Sequence, residues 1–167
     1  VLSTAKLRSS VFDPTTVTLT PAASADENLV FPITFPIIFG TAGLLFSSGN
    51  ITYTGTWRSY PSFVLTGPYT TARIEQQTLG VVIDLTVSIS AAQTRTITLT
   101  PGEQSVLDEN GQSAFDELGP DSNLIDFYLA PDPEAAGGVN VMRAQLFGGS
   151  AGASAARMDY NTRYIGI

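Results

Sequence analysis

Cysteine and histidine are both absent from this chain of 167 residues. Their absence excludes disulfide bridges, zinc sites built on thiolate or imidazole groups, and nucleophilic catalysis by a pair that includes cysteine or histidine. Haem ligation by histidine is excluded for the same reason. We expect no cofactor and no metal site in this protein.

Charge is also scarce, and positive charge most of all. Charged residues make up 14% of the chain, below the usual value of about 25%. One lysine and seven scattered arginines form no basic patch, so the sequence predicts no direct contact with nucleic acid. The acidic residues, in contrast, are concentrated between positions 103 and 134, and no basic residue lies between Arg95 and Arg143.

Long hydrophobic runs are missing as well. Pro32 and Pro36 interrupt the most apolar stretch, and no run reaches the roughly 18 residues that a membrane-spanning helix requires. We therefore expect no membrane span. The chain begins at Val1 without a signal-peptide pattern, and we expect it to be processed or to be a fragment of a longer protein.

Alternating apolar and polar residues dominate what remains. In Leu79–Ser90 the apolar residues recur at every second position, and Arg95–Thr100 repeats the pattern, which predicts two half-buried antiparallel strands joined as a hairpin. Shorter strands are predicted at Thr16–Thr20, Ile51–Tyr53, Ser62–Thr66, Arg73–Thr78, Asn123–Leu129, Val139–Phe147 and Ala155–Tyr164. Pro101–Gly119 is predicted as a loop with one helical turn. The fold class predicted is all-β, an antiparallel β-sandwich or jelly roll, in residues 41–167.

The proline segment, Phe31–Gly40, lies in an extended arm predicted for residues 1–40. Prolines cannot donate to a sheet ladder, so the segment is expected to run along an edge or over a surface. Its apolar side chains are too numerous to stay in water, which makes them candidate interface residues. They are Phe31, Ile33, Phe35, Ile37 and Phe39. Whether they cover their own sandwich or a neighbouring subunit stays open.

A cluster of aromatic residues follows around a glycine-rich turn: Tyr53, Trp57, Arg58 and Tyr60. Jelly-roll proteins bind glycans on exposed aromatic rings, so these residues form a candidate glycan surface. Trp and Arg are also enriched at protein interfaces, and contact with the core end or with a neighbouring subunit is the alternative that we favour.

The acidic pairs Asp108-Glu109 and Asp116-Glu117 are the chain's supply of groups for acid–base chemistry. Glycoside hydrolysis needs two carboxyl groups across a cleft, and adjacent loop residues do not show that arrangement. Asp108–Gly111 has oxygen ligands that suit calcium but lacks the spacing of a calcium-binding loop. We predict turns and a solvated acidic loop here, and no enzymatic activity.

The order of these motifs resembles the C-terminal half of siphophage distal tail proteins, the siphovirus-type tail component family. The resemblance covers nearly the whole chain and rests on the order in which its motifs occur along the chain. They are Phe12-Asp13-Pro14, the proline segment, Asn50–Pro68 with Tyr60-Pro61, the strands in 79–100, Phe115–Leu118, Gly119–Asn123 and Met158-Asp159-Tyr160 followed by Arg163-Tyr164-Ile165. The chain departs from the family pattern at Phe115, where the family often has tryptophan.

The resemblance implies a structural role at the tail tip of a long-tailed phage or phage-like particle. It implies a galectin-like sandwich attached to the end of an N-terminal ring-forming domain. It also implies a ring homo-oligomer, usually six-fold, in the virion. The implied partners are the tail tube, the tail-tip hub and the receptor-binding protein. The alternative is a glycan-binding module that attaches a particle or an enzyme to a cell surface.

Overall fold

A computed structural model describes residues 14–19 and 44–165, and these form an antiparallel β-sandwich. One sheet has five strands in the order β1-β9-β3-β6-β7, and the other has four in the order β2-β8-β4-β5. The strands are β1 Pro14–Leu19, β2 Leu44–Thr52, β3 Ser62–Thr66, β4 Thr71–Gln76, β5 Val81–Leu85, β6 Thr94–Thr98, β7 Ser105–Asp108, β8 Val139–Phe147 and β9 Ala155–Asn161. The all-β fold class is therefore confirmed, whereas the jelly-roll and galectin-like details stay predictions.

The core lies between the two sheets and is built from alternate residues of each strand. Phe63 and Leu65 of β3 are buried in it, and Ile83 and Leu85 of β5, in the opposite sheet, belong to the same buried cluster. The residues between them on each strand are only half-buried, as the period-two pattern predicts for strands with one covered face. No helix in the described part of the chain is long and apolar enough to cross a membrane.

Three predictions about strands are wrong. The stretches 79–90 and 95–100 do not form a hairpin, because β5 belongs to the four-stranded sheet and β6 to the five-stranded sheet. Residues 123–129 form no strand; Leu129 makes one isolated bridge with Ser59, and Ile125 is exposed. The predicted loop 101–119 contains β7, although its helical turn is present at Phe115–Glu117.

The first strand lies inside the region predicted as an arm. β1 pairs with β9 along its whole length, from Pro14 opposite Asn161 to Leu19 opposite Ala156, so this part of the predicted arm is an edge strand of the sandwich. The proline segment and the predicted boundary between residues 40 and 41 lie outside the described residues.

One side of the sandwich is closed by residues 112–123, which we call the edge-covering segment. Its backbone continues the ladder beyond β7, where Ala114 donates to the carbonyl of Val106 over 2.8 Å. Further along, Gly119 donates to the carbonyl of Asp84 on β5 over 2.9 Å. A single segment thus pairs with the outer strands of both sheets, which protects edges that would otherwise be open to other chains.

Candidate functional site

A groove of about 530 Å³ opens at one end of the sandwich. The turn after β2, the loop before β8 and the last described residues of the chain form its walls. The lining residues are Thr56, Trp57, Arg58, Pro131, Asp132, Pro133, Glu134 and Ile165. Two residues of the predicted surface, Trp57 and Arg58, therefore lie together in one concave site.

Large apolar side chains are exposed around this groove. Trp57 is 52% exposed, Tyr164 54% and Ile165 56%. Backbone hydrogen bonds bring them to the same place, because the amides of Thr56 and Trp57 both donate to the carbonyl of Arg163 at 2.9 and 3.1 Å. The end of the chain is therefore held beside the turn that carries Trp57.

Tyr53 lies beneath this turn and not on the surface. It is 2% exposed, its hydroxyl donates to the carbonyl of Trp57 over 2.7 Å, and the same oxygen accepts from the amide of Arg163 over 2.8 Å. Burial raises the pKa of its phenol. Gly55 permits the close approach, because a Cβ atom there would overlap the Tyr53 hydroxyl and the Arg163 carbonyl. The prediction that Tyr53 forms part of the surface is corrected: it supports Trp57 from below.

Arg58 is held on the groove wall by two different contacts. Its Nε and Nη2 atoms donate to the two carboxylate oxygens of Glu134 at 3.0 and 2.6 Å, and its guanidinium lies 4.4 Å from the ring centre of Tyr128. Bidentate pairing and cation–π contact both restrict the guanidinium to one orientation. Tyr128 completes the group by donating its hydroxyl to Glu134 over 2.6 Å.

These contacts shift the titration of the groups involved. The hydrogen bonds from Arg58 lower the pKa of Glu134 below its ordinary value of 4.5. Burial, followed by the hydrogen bond to Glu134, raises the pKa of Tyr128 to about 12. At neutral pH the charges of Arg58 and Glu134 therefore neutralise each other. The exposed carboxylate of Asp132, on the same wall, pairs with no basic side chain among the described residues.

Tyr60, the fourth residue of the predicted surface, is half-buried behind this pair. Its ring centre is 5.9 Å from that of Tyr128. On its other side the guanidinium of Arg163 lies at 6.0 Å. Tyr60 therefore packs as a layer under the groove wall and contributes little open surface.

The loop that carries Pro131, Pro133 and Glu134 is fixed by a buried amide network. Asn140 of β8 is fully buried; its side-chain oxygen accepts from the amide of Ala130, and its nitrogen donates to the Ala130 carbonyl, at 2.8 and 2.9 Å. Gln76 of β4, also fully buried, donates to the same Asn140 oxygen over 2.7 Å. The groove wall is thus anchored to the four-stranded sheet.

Sequence reasoning did not find Tyr128, Glu134, Pro131, Pro133 or Ile165. Arg58 and Glu134 are 76 residues apart, and the pairing of an arginine with one of many loop carboxylates leaves no local pattern. The sequence Pro131-Asp132-Pro133 indicated only a turn. Of these five residues, only Ile165 had a local signal in the sequence, as a large aliphatic residue near the end of the chain.

Three of the four carboxylates in the acidic pairs have partners within the described part of the chain. The carboxylate of Asp108 accepts from the amides of Asn110 and Gln112, and the Gln112 contact, the larger effect, lowers its pKa. Glu109 and Glu117 both pair with Arg95, at 2.9 and 2.6 Å. Among residues 14–19 and 44–165, no group of three acidic side chains is placed to hold a metal ion.

The five interface residues of the proline segment, from Phe31 to Phe39, lie outside the described residues, and their role stays a prediction. Comparisons with protein-family models, with curated proteins and with solved structures found no match to this chain. The groove and the residues around it therefore carry the functional argument.

Proposed function

We propose that this chain is a structural protein of a tail tip, a distal tail or baseplate hub protein that joins the tail tube to the tip machinery of a long-tailed phage or phage-like particle. The order of motifs along nearly the whole chain supports this proposal. The antiparallel sandwich of two sheets supports it too, since a β-sandwich is the fold that the resemblance implies.

The exposed end surface is the observation that carries the proposal. Trp57, Tyr164 and Ile165 are each more than half exposed, and they lie at a groove in which Arg58 is paired with Glu134. Exposed apolar patches mark contact sites in soluble proteins, and tryptophan, tyrosine and arginine are enriched at the centre of protein interfaces. A protein partner would cover this surface without having to break the Arg58–Glu134 pair.

In this proposal the protein has no catalytic role and acts in the virion, through contacts with copies of itself and with the tail tube, the tail-tip hub and the receptor-binding protein. A closed ring is the assembly expected from contacts that join different surfaces of identical subunits. Its six-fold order comes from the family resemblance.

The test is the assembly state of the purified chain together with its place on a particle. We expect light scattering to give a multiple of the 17.7 kDa chain mass, electron micrographs to show rings, and antibody labelling to mark the tail tip. A chain that stays monomeric and labels no tail tip would contradict the proposal.

A glycan-binding module is the second candidate, and the half-exposed ring of Trp57 beside a groove is the observation that favours it. Sugar rings stack on such a face, and Arg58 and Glu134 offer hydrogen-bonding atoms at its side. In that case Trp57→Ala would lose retention on a polysaccharide column and remain folded, whereas Phe115→Ala, at an exposed aromatic residue elsewhere, would be retained. Equal retention of both variants would discard this candidate.

A further inference from the structure

We propose that the groove beside Trp57 receives the proline segment, Phe31–Gly40, of a second copy of this chain. This inference rests on the proposed function and names the partner of the groove. It follows from the chemistry of the groove, the chemistry of the segment and the positions of the two strands between which the segment lies.

The groove has the features of a site for an extended, proline-containing peptide. Trp57 provides a half-exposed aromatic face, and Pro133 and Ile165 provide apolar walls. Aromatic-lined grooves bind proline-rich segments because such segments are extended beforehand and lose little entropy on binding. Arg58 and Glu134 neutralise each other, and the Asp132 carboxylate on the same wall accepts a hydrogen bond from the Gly137 amide. An uncharged peptide can therefore pack on the apolar walls and leave the Arg58–Glu134 pair in place.

The proline segment has the matching composition. Its sequence FPITFPIIFG contains two prolines, three phenylalanines and no charged residue. Burial of its phenylalanine and isoleucine side chains would remove a large apolar area from water. No other stretch of this length in the sequence combines two prolines with so many large apolar side chains.

The strands on either side of the segment meet the sandwich at the end opposite the groove. Leu19, which ends β1, pairs with Ala156, and Leu44, which begins β2, pairs with Phe147. These partners lie together, because the Ser154 hydroxyl donates to the Pro68 carbonyl over 2.6 Å and the nearby Thr70 amide donates to Phe147 over 2.7 Å.

The groove lies beyond the other end of β2. That strand runs nine residues from Leu44 to Thr52, a length of roughly 27 Å at the usual rise per residue. Phe39 precedes Leu44 by five residues and reaches at most about 18 Å from it. Phe39 therefore cannot enter the groove of its own chain, so a contact that places Phe39 in the groove joins two copies.

The resulting contact is head-to-tail, since the segment leaves one end of the sandwich and the groove opens at the other. Each copy then offers one segment and one groove, and repetition gives a ring or an open filament. The arrangement does not require a two-fold dimer in which each copy's segment fills the other copy's groove.

Complementation between two variants tests the pairing. Phe35→Asp/Phe39→Asp disables the segment, and Trp57→Ala disables the groove at an exposed side chain. We expect the wild type to assemble and each variant alone to stay monomeric. An equal mixture should give dimers of twice the chain mass and nothing larger, because only one segment–groove contact can form. Phe115→Ala, the matched control, should assemble as the wild type does.

Trp57 is the only tryptophan in the chain, so its fluorescence reports directly on the groove. A peptide of residues 26–41 added to the Phe35→Asp/Phe39→Asp variant should shift the emission to shorter wavelength in a saturable way. The same peptide with Phe35 and Phe39 changed to alanine should need at least a tenfold higher concentration.

The inference is overturned if the mixture stays monomeric while the wild type assembles, if the Phe35→Asp/Phe39→Asp variant keeps the wild-type mass, or if the peptide leaves the emission unchanged. The first two results leave the proposed function standing, because the wild type still assembles. The opposite result is also distinct. If the peptide shifts the emission in a saturable way while the wild type stays monomeric and labels no tail tip, the groove binds the proline segment but the tail-tip role is contradicted.

Discussion

Asn140 is the residue on which the groove wall depends most. Its fully buried carboxamide satisfies both backbone groups of Ala130 and also donates to the carbonyl of Gly138. Buried backbone groups that lose such partners keep their desolvation cost. One side chain on β8 therefore holds the loop that supplies Pro131 and Glu134 to the groove.

We predict that Asn140→Ala lowers the free energy of unfolding by about 2–3 kcal/mol, since buried donors and acceptors are left unpaired. Chemical denaturation measures the change. Asn161→Ala, at an exposed asparagine on β9, is the matched control and should change it by less than about 0.5 kcal/mol. Equal effects of the two substitutions would show that the network does not anchor the loop.

Glu134 makes the groove wall sensitive to acid. Hydrogen bonds from Arg58 lower its pKa in the folded protein below the ordinary 4.5, so the folded state favours the carboxylate. Its contribution to stability is complete above pH 4.5 and is lost as the pH falls through the lowered folded pKa.

We therefore predict that Glu134→Gln is less stable than the wild type at pH 7 and that the difference narrows below pH 4.5. Thermal unfolding of both proteins between pH 3 and 7 measures it. Because both side chains are partly exposed, solvent screening keeps the effect small. A stability difference that does not change with pH would argue against the Arg58–Glu134 pair.

At the scale of elements, β1 decides where the sandwich begins. It pairs along all six of its residues with β9, although the sequence assigned it to an arm. Without β1 its neighbour β9 would become an edge strand with unpaired amides and carbonyls.

We predict that a chain starting at residue 41 has a lower melting temperature than a chain starting at residue 10. Thermal unfolding of the two truncated chains at low protein concentration measures this. The chain from residue 10 retains β1 and serves as the control. Equal stability would show that β1 belongs to the arm and not to the sandwich.

Local pattern predicted individual strands well. β3 and β8 have the bounds expected from alternation, because one buried face imposes a period of two on neighbouring residues. The pattern does not record which sheet a strand joins, so β5 and β6 were wrongly paired as a hairpin. Ile125 misled in a similar way: it alternates correctly with Phe127, but it is 73% exposed because no partner strand covers it.

The candidate site was predictable only in part, for a related reason. Trp57 and Arg58 were found because aromatic and basic residues on a glycine-rich turn stand out locally. Tyr53 belongs to the same aromatic cluster in the sequence, but it is buried in the structure, where Arg163 near the chain end contacts its hydroxyl. The opposite wall comes from residues more than 70 positions away, and such contacts depend on the fold as a whole.

At the scale of the whole molecule, an uncharged segment that packs on the apolar walls of the groove predicts an assembly that resists salt. Exposed charge pairs weaken as salt screens them, whereas apolar burial does not. We expect the mass measured by sedimentation to stay constant or rise between low salt and about 1 M salt. A mass that falls steeply with salt would indicate an interface built on charge, and the acidic stretch 103–134 would then be the place to look for it.

The edge-covering segment has a consequence for hydrogen exchange. It ties the two sheets together on one side, through the Ala114 amide on β7 and the Gly119 and Asn123 amides on β5. Because one stretch of chain makes all three bonds, the fluctuation that frees one amide frees the others, and they should exchange as a single cooperative unit. The outer strands β7 and β5, which belong to different sheets, therefore become accessible to solvent in the same opening event.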